Sequence, residues 1–265
     1  MSTQILSIWD QVAYGSIPGI SSVPINGTNG AITTSFEPIW PESAAYTPLA
    51  AAMSTPYIAS SSANDVLTSG TGAWTVRVTG VTTSYAAFSE DLSLNGQTSV
   101  NLATANVLFI NSMQVLTAGS GFVNAGTIRI GTGSNTSGVP AVVHAHMAIG
   151  FGKTQTAMYF VPASKTLLLR NLTANSYGVT AAQTIQVVAD TWTTPVSAKV
   201  LQRQYIATLN QAGTSAYSYP GILKIPASTL VIFQALSAAS TGPVMFQAEG
   251  ILIDAASATS NQMYF

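Results

Sequence analysis

Residues 70–133, GTGAWTVRVTGVTTSYAAFSEDLSLNGQTSVNLATANVLFINSMQVLTAGSGFVNAGTIRIG followed by Thr132 and Gly133, constrain the fold more tightly than any other part of the chain. Trp74, Val76 and Val78 alternate with Thr75, Arg77 and Thr79, the period of a strand with one buried face. Asn95-Gly96 predicts a tight hairpin, with both central residues at positive φ. Val107–Leu116 reads as a longer strand, and two glycine turns, 118–121 and 124–126, precede a strand at Thr127–Ile130. No helical period competes with these signals, so the expected fold class is all-β.

The second half repeats the pattern. Strands are expected at Thr166–Asn171, Thr184–Ala189, Gln204–Thr208, Gly221–Ile225, Leu230–Ala235 and Met245–Ile253. Short strands at such spacing predict antiparallel β-sandwich or jelly-roll modules. The glycine-rich, polar stretch Gly131–Gly138 reads as a linker or as a long hairpin loop. The expected division is an extended N-terminal arm (1–35), a β-rich module (36–138), a sandwich or jelly-roll module (139–254) and a small polar C-terminal tail (255–265). In the arm and its continuation, Pro18, Pro24, Pro38, Pro41, Pro48 and Pro56 interrupt ladders. Bulky residues spaced among them suit either an arm laid over another subunit or loops packed on the same domain. Trp9, Tyr14, Ile17, Ile20, Phe36 and Trp40 are the candidate interface residues. The arm 1–35 is expected to order only on a partner, because fixing its backbone opposes what those anchors gain by burial.

Charge narrows the role. Only 6% of the 265 residues are charged, against 47% hydrophobic, and the net charge is −1. Ordinary soluble domains carry about a quarter charged residues. No apolar run reaches the roughly 18–20 residues of a spanning helix, and a membrane barrel would carry more charge in its loops and lumen. A β protein surfaced with hydroxyls and amides, packed against neighbours, is the expected alternative; few charges then need desolvation. Eight scattered basic residues give no nucleic-acid footprint. Cysteine is absent, which removes disulfides and thiolate chemistry. The N-terminus has no basic region followed by an apolar core, so no signal peptide is expected.

No catalytic or cofactor-binding residues are assigned. His144 and His146, at i and i+2, would share one face of a strand and could hold a metal; their neighbours are apolar, and a satisfied surface or interface pair is the preferred reading. Glu90-Asp91 is the one adjacent acidic pair, expected to hold a turn or to meet Arg77 or Arg129. Gly119–Gly126 lacks the Lys-Ser/Thr and the helix of a phosphate loop.

Gly70–Ala73, Val76–Val78, Ser89–Val100 and Val115–Ile130, with Phe36–Trp40 and Ser60–Asp65 as lead-in, resemble a domain of tailed-bacteriophage structural proteins, especially those of aquatic phages. The steps at Pro226-Ala227 and Ile251–Asp254 are similar to the closing module of the same proteins. The resemblance implies a non-enzymatic virion protein, without cofactor or metal, made in the host cytoplasm. A capsid cement or decoration protein is the leading expectation, with the major capsid protein and its own copies (a trimer) as partners and neither nucleic acid nor membrane. A tail, vertex, fibre or adaptor subunit, or a carbohydrate-binding adhesin module, stand as alternatives.

Overall fold

The structure is a computed structural model describing residues 11–12, 14–42, 46, 51–193, 200–219, 221–238 and 242–254. The protein is all-β: strand accounts for 64% of the described residues, and every pairing among the described strands is antiparallel. In chain order the strands are β1 (Ile20–Ile32), β2 (Glu37–Pro38), β3 (Tyr57–Ser60), β4 (Ala73–Thr82), β5 (Ala87–Ser93), β6 (Val100–Asn101), β7 (Val107–Ala118) and β8 (Ile128–Thr136). They continue with β9 (Val139–Met147), β10 (Met158–Phe160), β11 (Lys165–Thr193), β12 (Val200–Tyr219), β13 (Leu223–Ile225), β14 (Thr229–Ser237) and β15 (Gly242–Asp254).

Residues 57–147 build two small sheets, β6-β3-β8-β9 and β5-β4-β7. Ile58, Ile128, Ile130 and Met147 of the first share one core with Val76, Val78, Ile110 and Met113 of the second. The alternation read at 74–79 is present, with Val76 and Val78 fully buried. Asn95-Gly96 behaves differently from the expectation. The turn is centred on Gly96-Gln97, closed by Thr98 N–H donating to Asn95 O, and only Gly96 has positive φ (60°). It links β5 of one sheet to β6 of the other rather than two partners in one ladder.

The remaining strands form an eight-stranded sheet with the path β1-β15-β11-β14-β10; β12 and β13 also pair with β11, and β2 with β14. β11 absorbs two expected strands, Thr166–Asn171 and Thr184–Ala189, into one run of 29 residues. Its first part pairs with β15 from Lys165 to Ser176, and its last part with β14 from Ile185 to Thr193. Leu167 and Leu169 from one part and Ile185, Val187 and Ala189 from the other enter one core. Phe233 of β14 and Phe246 of β15 stack there at 4.0 Å. Both parts of β11 thus contribute to one core. Val81 and Phe109 from the small sheets join Phe160, Leu230 and Ile232 in a further cluster that fastens the two parts together.

Two expected boundaries are corrected. Gly131–Gly138 is not a linker: it lies in the β8–β9 hairpin, with Gly131 opposite Val143 and Thr136 opposite Val139. The change from small sheets to large falls after Met147, and the large sheet also recruits residues 20–38. The arm is corrected as well. Ile20–Ile32 is a strand, paired with β15 in register from Ile20–Ile253 to Asn29–Val244 and, past a bulge, at Ile32–Gly242, and Ile25 and Ile32 lie in the main core. Pro24 misled because it breaks an interior strand, whereas β1 is an edge, where a missing N–H is tolerated. Gly27 misled because it is a packing requirement: a Cβ there would lie 2.3 Å from Ile39 O and 2.5 Å from Ala157 N. Residues 1–10 and the tail 255–265 lie outside the described residues.

Candidate functional site

The segments that carry the phage resemblance are far apart in sequence and meet at one carboxylate. Asp65 is fully buried. Its Oδ1 accepts Ala73 N–H (2.7 Å) and Ala125 N–H (2.8 Å); its Oδ2 accepts Gly126 N–H (2.8 Å) and Ser60 Oγ–H (2.5 Å). A buried carboxylate is tolerable only when its lone pairs are filled in this way. The Asp65 carbonyl accepts Gly96 N–H, Gly72 N–H donates to Asn64 O, and Gly121 N–H donates to Thr71 O. Lead-in, GTGA start, Leu-Asn-Gly turn and Asn-Ala-Gly return are thus tied into one knot.

The knot supports an apolar tip. Asn124 is buried, and its side chain joins two loops: Nδ2 donates to Gly126 O (2.7 Å) and Ala148 O (2.8 Å), and Oδ1 accepts Gly152 N–H (2.9 Å). Gly150 N–H donates to Asn124 O. These clamped loops carry Phe122, Ile149 and Phe151, which are 89%, 60% and 64% exposed. Phe122 has φ 63°, a conformation that costs a side-chain-bearing residue about 1–2 kcal/mol. Large apolar side chains held outward on a fixed frame are what an interface anchor needs.

The residues singled out from sequence fall elsewhere. Trp9 lies outside the described residues. Tyr14 is 76% exposed and open to a partner. Ile17 packs against Val12, Ile20, Ile251 and Ile253, and Ile20 is buried there. Phe36 covers the Arg203 guanidinium at 4.1 Å, and Arg203 makes two 2.7 Å bonds to the buried Asp190. Trp40 is buried, edge-on to Tyr46. Ile20 and Trp40 are therefore core residues rather than interface anchors, because the segment holding them is built into the large sheet.

Among the expected polar sites, Asp91 meets Arg77 in a two-bond pair (2.7 and 2.8 Å), while Glu90 accepts the N–H groups of Ala103 and Thr104 and the Thr104 hydroxyl. Arg129 turns instead to Glu42 (2.7 Å), which also meets His146 Nδ1 (2.5 Å). The His146 bond, with Arg129, holds the Glu42 carboxyl down to about 2 against the opposing effect of burial. The two histidines do not act as a pair. The register shifts between Ile130–Ala145 and Gly131–Val143, so His144 occupies a bulge. It meets Thr132 Oγ1 at 3.1 Å, and burial lowers its pKa. Among the described residues no group of three His, Cys, Asp or Glu is placed to hold a metal, and no helix is long and apolar enough to cross a membrane.

Sequence reading missed Asp65, Glu42, Phe122, Ile149 and Phe151. A usable signal for the tip exists: each phenylalanine sits beside glycine in a turn-like context, Gly121-Phe122 and Gly150-Phe151-Gly152.

No family model matches the chain, and no curated protein matches it. Solved structures give distant likenesses. An infectious bursal disease virus Gt strain structure aligns at 11% identity over 94% of this chain and 78% of that chain, with a TM-score of 0.27. T=1 particles derived from infectious bursal virus align at 11% over 96% and 76%, with a TM-score of 0.28. A Clostridium thermocellum endo-1,4-β-D-xylanase complexed with xylohexaose aligns at 11% over 47% of this chain, which spans 23% of the xylanase chain, with a TM-score of 0.22. Likenesses at these scores carry no weight for fold detail or role.

Proposed function

We propose that this chain is a non-enzymatic virion structural protein of a tailed bacteriophage. It binds the outside of the major capsid shell as a cement or decoration protein and acts as a homo-oligomer, a trimer. The observation that carries the reading is the apolar tip of Phe122, Ile149 and Phe151, held by Asn124, which lies within a segment that carries the phage resemblance. A chain with 6% charged residues can be covered by neighbours with little charge desolvation. In this reading the eight-stranded sheet is a sandwich of jelly-roll kind, and the tip seats in an apolar pocket of the shell. Repetition over many shell sites adds stability by linkage and avidity.

The test is to decorate particles lacking this protein with wild type or with Phe122→Ser/Phe151→Ser. The double variant is expected to keep the wild-type melting temperature and lose occupancy; unchanged occupancy refutes docking through the tip. Copy number per virion separates the placements. A number matching the capsomer junctions supports decoration, and one ring or fibre set places the protein in the tail or at a vertex.

A further inference from the structure

We propose that the cleft between β1 and β7 is a binding site for a carboxylate-bearing sugar. The cleft has a volume of about 320 Å³, within the range of small-ligand sites. It opens where two edge strands, one from the large sheet and one from a small sheet, face each other. Many of its polar groups are already engaged. The Thr79 and Ser112 hydroxyls bond to each other, Asn111 bonds to the Phe160 backbone, and Thr154 bonds to Met113. These contacts make a fixed wall.

Another set lines the cleft without a side-chain partner among the described residues: Ser22, Asn26, Gln114, Lys153, Thr156 and Tyr159. They offer hydroxyls and amides, which suit a polyol. Thr156 is buried and Tyr159 half-buried. The Tyr159 phenol is a hydrogen-bond donor at neutral pH.

Lys153 gives the cleft its charge preference. It is the one charged residue in the lining, no acidic residue joins it there, and it forms no ion pair among the described residues. Its backbone is fixed: it bridges Gln114, Thr154 N–H donates to Met113 O, and Val115 N–H donates to Gly152 O. A cation on a fixed rim over a hydroxyl- and amide-lined wall selects a carboxylate attached to a sugar over a neutral sugar. Addition of a peptide strand is disfavoured, because Pro24 in the β1 part of the lining offers no N–H to a ladder.

The reading does not depend on where the protein sits in a virion. Its test is isothermal titration calorimetry of the full chain against D-glucuronate, N-acetylneuraminate, D-glucose and N-acetyl-aspartate amide, a peptide carboxylate mimic. At least one acid sugar is expected to bind with Kd on the order of 1 mM or tighter, with glucose and the peptide mimic weaker by about tenfold or more. Lys153→Ala is expected to reduce acid-sugar affinity by about tenfold and Gln114→Ala by about threefold, with melting temperatures unchanged. The proposal is overturned by no binding of either acid sugar, by equal binding of glucose, by preference for the peptide mimic, or by Lys153→Ala binding as tightly as wild type.

Discussion

Replacing Asp65 with alanine should be among the most damaging single changes in the chain. The carboxylate accepts three backbone N–H groups and one hydroxyl in a fully buried position. Ser60 Oγ can rotate to another acceptor. The N–H groups of Ala73 and Gly126 are in buried residues and cannot, and Ala125 is half-buried. Each buried N–H left without a partner costs about 1–3 kcal/mol. Two full penalties and half of a third give about 2.5–7.5 kcal/mol, a large share of the roughly 5–15 kcal/mol that a domain has to lose. In a chain of this size, that is a fall in Tm of about 5–30 °C. Asp65→Asn should cost about half as much, because its carbonyl can keep both Oδ1 contacts while its NH2 faces the Gly126 N–H. Melting followed by near-ultraviolet circular dichroism and by tryptophan fluorescence reads both variants. An alanine variant melting within about 2 °C of wild type, less than a single lost contact of this kind should cost, would refute the claim that this carboxylate organises the turns.

Gly27→Ala places a Cβ against the Ile39 carbonyl and the Ala157 backbone and should lower the denaturation midpoint by more than an exposed glycine-to-alanine change such as Gly30→Ala, where nothing lies within 4 Å. Deleting residues 1–32 should yield insoluble protein, because it strips Ile25 and Ile32 from the main core and bares β15; a soluble, folded truncation would contradict the pairing of β1 with β15. Glu42 is held below its usual range, to about 2, chiefly by His146. A depressed carboxylate contributes stability that is fully present above its unfolded value of 4.5 and is lost as pH falls toward 2. Acid unfolding in that window should therefore be less steep in Glu42→Gln, and superimposable acid curves would refute the coupling.

Strands with an alternating face could be read directly. Trp74–Thr79 became part of β4, Val107–Leu116 lies within β7, and Thr127–Ile130 caught the start of β8, which runs on to Thr136. The edge strand β1 was hidden because Pro24 and Gly27 have opposite meanings in a central strand and at a crowded edge. The continuity of β11 was hidden because Asn175-Ser-Tyr-Gly178 has the composition of a turn; pairing with β12 on both sides of it, and with β15 as far as Ser176, carries the strand through. The knot was illegible for a simpler reason. Asp65 binds backbone N–H groups 8, 60 and 61 residues away, and an amide group has no residue identity. Glu42 and His146 are 104 positions apart, so their pairing depended on the path of the whole chain. Phe122 and Phe151 look like core by hydrophobicity; their exposure follows from Asn124, which locks both loops at the surface.

The pairing of β1 with β15 has a consequence for how the protein is made. The first described strand can acquire its partner only when the last has emerged from the ribosome, so the large sheet closes later than the small ones. The two small sheets, complete by Met147, can close earlier, as a folded insert carried by an unfinished frame. Pairing between distant segments is also slow, because a long loop must be closed before any contact forms. Until then the new chain exposes a row of unpaired β1 edge groups, with Pro24 and the glycines at 27 and 30 making that row a poor template for wrong partners. Residues that look like breaks in the strand thus guard it during the interval in which it waits for β15.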